Sequence, residues 1–274
     1  MALNEVLNLR LQEFLLFNMY GFDTMAGLGI KGVDAGNKFG QIPLFSPTDG
    51  RIPVWEGANP YEYQTSAFTP SVASDDATDT LLGDGARIVV IEGNDPEGNE
   101  QSETIELDGQ TPVPSTLTWS IVYRMYVEKV GVDGTAAGTI YCGLGAFALG
   151  VPATELAIVR NGNNQTQMCI YTVPKGYYCG ITSIAYTTIA GKPVIFHDEA
   201  RTKDSPFDYS RPFRNVRTVN VDTDYELRLN PYGIFPEFTD LRITALATQN
   251  LSTCECAFRF VLIPKTLVDG YIGG

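Results

Sequence analysis

The sequence predicts an all-β protein: an antiparallel β-sandwich or jelly-roll-like region behind an N-terminal helix and an extended Gly/Pro-rich arm. Three observations predict it. Short stretches of alternating polarity recur from residue 61 to the C-terminal region, the period of two expected of half-buried strands. Gly (27) and Pro (16) are plentiful and punctuate those stretches, while charged residues make up only 19% of the 274 positions. No helical pattern falls between the strands, as a parallel α/β sheet requires.

The one strong helix signal is residues 3–20, LNEVLNLRLQEFLLFNMY. Leu3, Leu7, Leu11 and Phe14 share a face and Leu9 and Leu16 share another, so the helix is expected to pack on two sides. Glu5, Arg10 and Glu13 oppose insertion in a membrane. Two readings stay open: an assembly arm laid on a neighbouring subunit, or a helix packed on its own domain. Residues 21–60 carry little periodicity and read as an extended, looping connector. Gly27, Gly29 and Gly32 match the spacing G-x-G-x-x-G, but no buried strand precedes them and no helix follows, so nucleotide binding is not expected.

Strands follow. Residues 87–91 (RIVVI) and 103–107 (ETIEL) flank the turn-forming segment GNDPEGN at 93–99, which makes a hairpin. Residues 117–130 alternate and place Trp119, Ile121, Tyr123, Met125 and Val127 on one face. Further strands are read at 139–142, 156–160, 167–173, 180–189 and 193–196. Residues 240–248 (DLRITALAT) and 253–263 (TCECAFRFVLI) alternate on either side of Asn250-Leu251-Ser252 and are read as a closing hairpin. The arm and helix occupy residues 1–50. The strands occupy 51–274, as one sandwich or as two divided at the Gly/Asn cluster of residues 161–164.

A net charge of −13 argues against a nucleic-acid or anionic-lipid binder, since both need clustered cations. Residues 200–220 hold the local exception: Arg201, Lys203, Arg211, Arg214 and Arg217, interleaved with Phe207, Tyr209 and Phe213. In so acidic a chain this patch is expected to meet an acidic partner surface, with Arg211 and Arg214 as contacts, or to be a solvated loop. The first 20 residues lack the basic start and small-residue cleavage site of a signal peptide. No uncharged apolar run reaches 18 residues. The five cysteines show no paired spacing, as expected of reduced thiols in a protein assembled in the cytosol.

Chemistry is sparse. The single histidine, His197, has Asp198 and Glu199 beside it, but no nucleophile elbow accompanies it. Cys254 and Cys256 lie two apart on one strand face rather than in a zinc knuckle. The acidic turn 94–100 departs from the Ca²⁺-loop pattern. No catalytic pair, metal site or cofactor is expected.

The segment 73–111, ASDDATDTLLGDGARIVVIEGNDPEGNEQSETIELDGQT, resembles a stretch of the virion structural proteins of tailed bacteriophages, especially those of marine and cyanobacterial hosts. The similarity is carried by Gly83, Gly85, Ala86, Arg87, Val89, Gly93, Asp95, Asn99, Glu100, Ser102, Glu103, Thr104, Leu107 and Gly109. Two further pieces, YTVPKG at 171–176 and FPEFTDLR at 235–242, are similar to the same group. Pro96 stands where that group has a small or polar residue. The resemblance implies a non-enzymatic virion component, with no catalytic or cofactor residues to carry over. Its expected partners are the major capsid protein or other virion proteins, and further copies of itself, a trimer being favoured. Nucleic acid and membrane are not expected partners. A head decoration, cement or vertex role is one reading. A tail- or fibre-associated module binding an adaptor or host glycan is the other, with Tyr61, Tyr63, Tyr177 and Tyr178 available to stack on sugars.

Overall fold

The computed structural model describes residues 33–189 and 191–267. The expected helix, with Leu3, Leu7, Leu11 and Phe14, and the three spaced glycines lie outside the described residues.

The strands run β1 (Asp34–Phe45), β2 (Arg51–Pro53), β3 (Ser71–Ser74), β4 (Ala86–Asn94), β5 (Glu100–Glu106), β6 (Val113–Pro114), β7 (Ile121–Val130) and β8 (Ile140–Ala148). They continue with β9 (Val151–Val159), β10 (Ile170–Thr172), β11 (Tyr177–Thr188), β12 (Val194–Arg201), β13 (Arg214–Val221), β14 (Asp224–Phe235), β15 (Asp240–Ala247) and β16 (Ser252–Pro264). All pairings between them are antiparallel. The expectation of an antiparallel all-β protein therefore holds.

Four sheets result. One has the order β1-β16-β11-β14, and a second β10-β15-β12-β13, with β2 also on β15. The third is β6-β3-β8-β9 and the fourth β5-β4-β7. The first two share a pairing rule. In the series β1, β10, β11, β12, β13, β14, β15, β16, the first strand pairs with the last, the second with the seventh, the third with the sixth and the fourth with the fifth. Pairing of β11 with β16 and of β12 with β15 completes two four-stranded sheets. Ile181, Ile184 and Phe258 of the first and Val216, Leu241 and Ile243 of the second line one small cavity between them.

Residues 54–169 are an insertion into a single strand position. Strands β2 and β10 lie end to end along one edge of β15: Pro53 opposes Thr244, and Ile170 opposes Arg242. Between them, the amide of Val54 donates to the carbonyl of Ile243 (2.9 Å), and the amide of Ile243 to the carbonyl of Cys169 (3.1 Å). The amide of Cys169 donates to the carbonyl of Val54 (2.9 Å), so the chain leaves and returns at one point. Trp55 pairs with Met168 just beyond. Strands β3–β9 form the insertion, and the turn at 161–164 lies inside it. Gly40 of β1 backs this neck: a Cβ there would come within 2.5 Å of the Val54 carbonyl oxygen and 2.6 Å of the Cys169 nitrogen.

One buried core runs through both parts. The Tyr123 ring of β7 lies 4.8 Å from Tyr171 of β10, which lies 4.4 Å from Phe260 of β16. The expected face of β7 is confirmed, with Trp119, Ile121, Tyr123 and Met125 buried and Val127 half-buried. The hairpin across residues 93–99 is β4 and β5, its turn held by Asp95, which accepts from the Asn99 amide (2.8 Å). Two expectations are corrected. Within the supposed connector, 34–45 is the long strand β1, because β16 supplies a partner along nearly its whole length. The closing hairpin is not one: β15 and β16 do not pair with each other and belong to different sheets, the chain crossing between sheets at 248–251. Alternation marks a buried face, and both strands bury theirs, but it does not name the strand alongside.

Candidate interaction surface on the basic segment

The segment 200–220 spans the end of β12, a proline- and aromatic-rich loop, and β13. Its centre is Asp240, the first residue of β15, which is fully buried. Its carboxylate accepts from Arg201 (Nη2 2.7 Å, Nε 3.0 Å), from Lys203 (Nζ 2.9 Å) and from the Thr172 hydroxyl (2.7 Å). A buried charge survives only when paired and hydrogen-bonded in this way. Burial lowers the Lys203 ammonium below the ordinary lysine range, and Asp240 opposes that shift.

The same cations hold the insertion. The Arg201 guanidinium lies over the rings of Tyr63 (4.6 Å), Tyr209 (4.4 Å) and Phe213 (4.2 Å). Arg242 covers Phe213 at 3.7 Å and donates to Glu199 (2.7 Å), which also meets Arg51 (3.2 Å). Tyr63 stands edge-on to Tyr61 and Tyr61 to Trp55, while the Tyr61 hydroxyl donates to the Val122 carbonyl. Each cation–π contact with a desolvated cation contributes about 1–2 kcal/mol, so the cluster is a clamp between the first turn of the insertion and the sheet of β12, β13 and β15.

The five predicted cations therefore divide. Arg201 and Lys203 face inward. Arg217 is bound by Asp198 (2.7 Å) and by the Tyr186 hydroxyl (3.0 Å). Arg211 and Arg214 are exposed, Arg211 pairing with the exposed Asp204 at 2.7 Å. An exposed pair of this kind is worth little and leaves both side chains available. Pro212, between them, is exposed, while half-buried Phe213 belongs to the clamp.

The sugar-stacking reading loses Tyr61 and Tyr63, which are inside the clamp; Tyr177 and Tyr178 are half-buried. His197 bonds through Nδ1 to the Thr218 hydroxyl (3.1 Å), and burial together with Arg51 lowers its pKa. The five cysteines are buried free thiols, and burial raises the pKa of Cys142, Cys179, Cys254 and Cys256. Among the described residues no group of three His, Cys, Asp or Glu is placed to hold a metal ion, and no helix is long and apolar enough to cross a membrane.

Sequence reasoning missed a second exposed feature. Loops 74–85, 107–111, 131–139 and 149–150 are knotted around Asp79, whose buried carboxylate accepts from the amides of Ala86 (2.6 Å), Ala137 and Gly138 (2.9 Å each) and from the Ser74 hydroxyl (2.6 Å). The amide of Asp133 donates to the Asp84 carbonyl, that of Ser74 to Gly109, and Gly150 sits against the Ser74 carbonyl. This knot exposes Leu82 (90%), Val132 (81%) and Leu149 (77%). Lone apolar residues in turns carry no periodic signal.

No family model and no curated protein matches the chain. Among solved structures, it aligns with a chain of the cowpea mosaic virus empty virus-like particle at 9% identity, covering 74% of this chain and 84% of that one, with a TM-score of 0.19. It aligns with the infectious bursal disease virus Gx strain at 9% identity, covering 85% and 72%, with a TM-score of 0.21. For T=1 particles derived from infectious bursal virus the values are 11%, 85% and 70%, with a TM-score of 0.16. Likenesses of this size carry no argument about fold or function.

Proposed function

We propose that this chain is a non-enzymatic structural component of a tailed-phage virion. In this reading it is a head decoration, cement or vertex protein that binds the major capsid protein and other copies of itself, and it enters the particle in the host cytoplasm. The observation that carries the reading is the pairing of first strand with last through the series β1, β10–β16. We read this pairing as a long hairpin rolled up on itself in the manner of a jelly roll, an architecture of viral capsid domains as well as of lectins and cupins. Fold alone does not assign function. The phage-like segment narrows the choice: its residues run through β4, β5 and their flanking turns, within the insertion. The acidic charge suits a protein held off a packaged genome. The burial of Tyr61 and the packing of half-buried Tyr63 in the clamp weigh against their use by a glycan-binding tail module.

The test is immunogold labelling of purified particles from the producing host. Label over the head is the expected result. Label at the tail overturns the head assignment in favour of an adaptor or receptor-binding part, and particles without label overturn the virion role itself.

A further inference from the structure

We infer that Cys169 and Cys256 are a latent cross-link, two thiols that a small-molecule disulfide converts to a bridge between the neck of the insertion and β16. The inference uses the virion role proposed above only to say when the oxidant is met, on leaving the reducing cytosol.

The fold brings this pair together from 87 residues apart. Cys169 stands where the chain returns to the edge of β15. Its amide donates to the Val54 carbonyl (2.9 Å), and its carbonyl accepts from the Ile243 amide (3.1 Å). Cys256 lies on β16, in the other sheet, opposite Gly40 of β1. The missing side chain of Gly40 lets the neck lie against this point, since a Cβ there would come within 2.6 Å of the Cys169 nitrogen. The Cys256 thiol then donates to the Cys169 sulfur at 3.1 Å, and the Cys169 thiol donates to the Cys256 carbonyl at 3.1 Å. Cysteines whose side chains diverge cannot be bridged without moving backbone, and these two already meet at their sulfurs. Cys254 is buried on the same face of β16, two residues back, but the sulfur contact is made by Cys256.

The exchange balances with the oxidant RSSR alone. One cysteine loses its proton, and its sulfur attacks a sulfur of RSSR and expels RS⁻. The other cysteine, deprotonated in turn, attacks the protein sulfur of that mixed disulfide and expels the second RS⁻. The two protons end on the two RS⁻ groups. Two protein thiols are thus oxidised to one disulfide while RSSR is reduced to two RSH. Both cysteines are buried, and the attacking species is the thiolate. Burial also raises the pKa of Cys256, so the thiols persist through assembly and react when the neck opens. Once made, the bridge joins the insertion and the edge of β15 to β16 and closes a long loop, which constrains the unfolded chain.

The test uses the full chain, purified in the reduced state. Held folded with oxidised glutathione, it is expected to lose two hydrogen atoms of mass over hours, with Cys169 and Cys256 recovered in one cross-linked peptide pair. It should melt roughly 4–16 °C higher, the shift that the usual worth of a disulfide gives a chain of this size. Dithiothreitol should reverse both changes. Cys169→Ala and Cys256→Ala should each abolish the bridge, and Cys254→Ala should leave it. Refolding the reduced wild type from urea in a glutathione redox buffer removes burial as a barrier, so the pairing is read without relying on any variant to fold. Thiols that stay reduced in both experiments, a bridge to Cys254, or a bridged chain that melts no higher overturn the pairing. A bridge formed on refolding alone overturns a cross-link made after assembly. Particle labelling reads the virion role separately, so either proposal can fail without the other.

Discussion

Two buried ionisable residues set opposite pH dependences. Lys38 of β1 is buried, donates to the Tyr123 carbonyl and lies 5.0 Å from the centre of that ring. Burial, helped by Arg124, brings its pKa down to about 7. An unfolded lysine titrates near 10.4, so between those values the unfolded chain holds the extra proton and stability rises with pH. Glu56 works in the other direction. Burial raises its pKa to about 7 against the opposing pull of Arg160, while an unfolded glutamate titrates near 4.3. Over that window the folded chain holds the extra proton, so stability falls as pH rises. These two residues together predict a dip in stability near neutrality. Urea unfolding from pH 5 to 10 checks it: Lys38→Met should flatten the alkaline limb and Glu56→Gln the acid limb. Unchanged limbs would show that these groups are solvated in the folded state.

At the level of elements, the neck of the insertion concentrates constraint. Gly40 faces backbone atoms of both Val54 and Cys169, which cannot yield as a side chain does. Gly36, two pleats away, faces only the ring tip of Phe260. Gly40→Ala is therefore expected to cost about 2–3 kcal/mol by overpacking, and Gly36→Ala distinctly less, both read from denaturant midpoints. The neck also shows what sequence alone conveys. Alternation or a short apolar run found β4, β5, β7, β11, β15 and β16: β16 alternates buried and open positions along most of its length, whereas Val89, Val90 and Ile91 of β4 are buried in succession. It missed β13, where RNVRTVNV reads as a solvated basic run and only Val221 is buried. It also missed β1, whose Gly36, Gly40 and buried Lys38 break the apolar alternation that would announce a strand. Of the basic segment, the exposure of Arg211 and Arg214 was readable. The inward turn of Arg201 and Lys203 was not, because it depends on Asp240, nearly forty residues away.

For the whole molecule, the question is whether the insertion and the two sheets built from β1 and β10–β16 are two folding units or one. The Tyr123–Tyr171–Phe260 stack and the Arg201 clamp bridge them, and the buried core is continuous across the neck. A single calorimetric transition is expected, with equal calorimetric and van't Hoff enthalpies. Two resolved peaks would show the insertion to be independent. The pairing of β1 with β16 reaches further, into synthesis. Asp34 pairs with Leu262, so a strand made near the start must wait for one made near the end. At about 5–20 residues per second the wait is roughly 10–50 s. Throughout it β1 has no partner on either side, because β16 is the strand between it and β11. An unpaired strand edge is open to other chains, and on crowded polysomes those are other nascent copies of the same chain. Yield in a heterologous host is thus set by translation rate and chaperone supply before folded-state stability has any part in it.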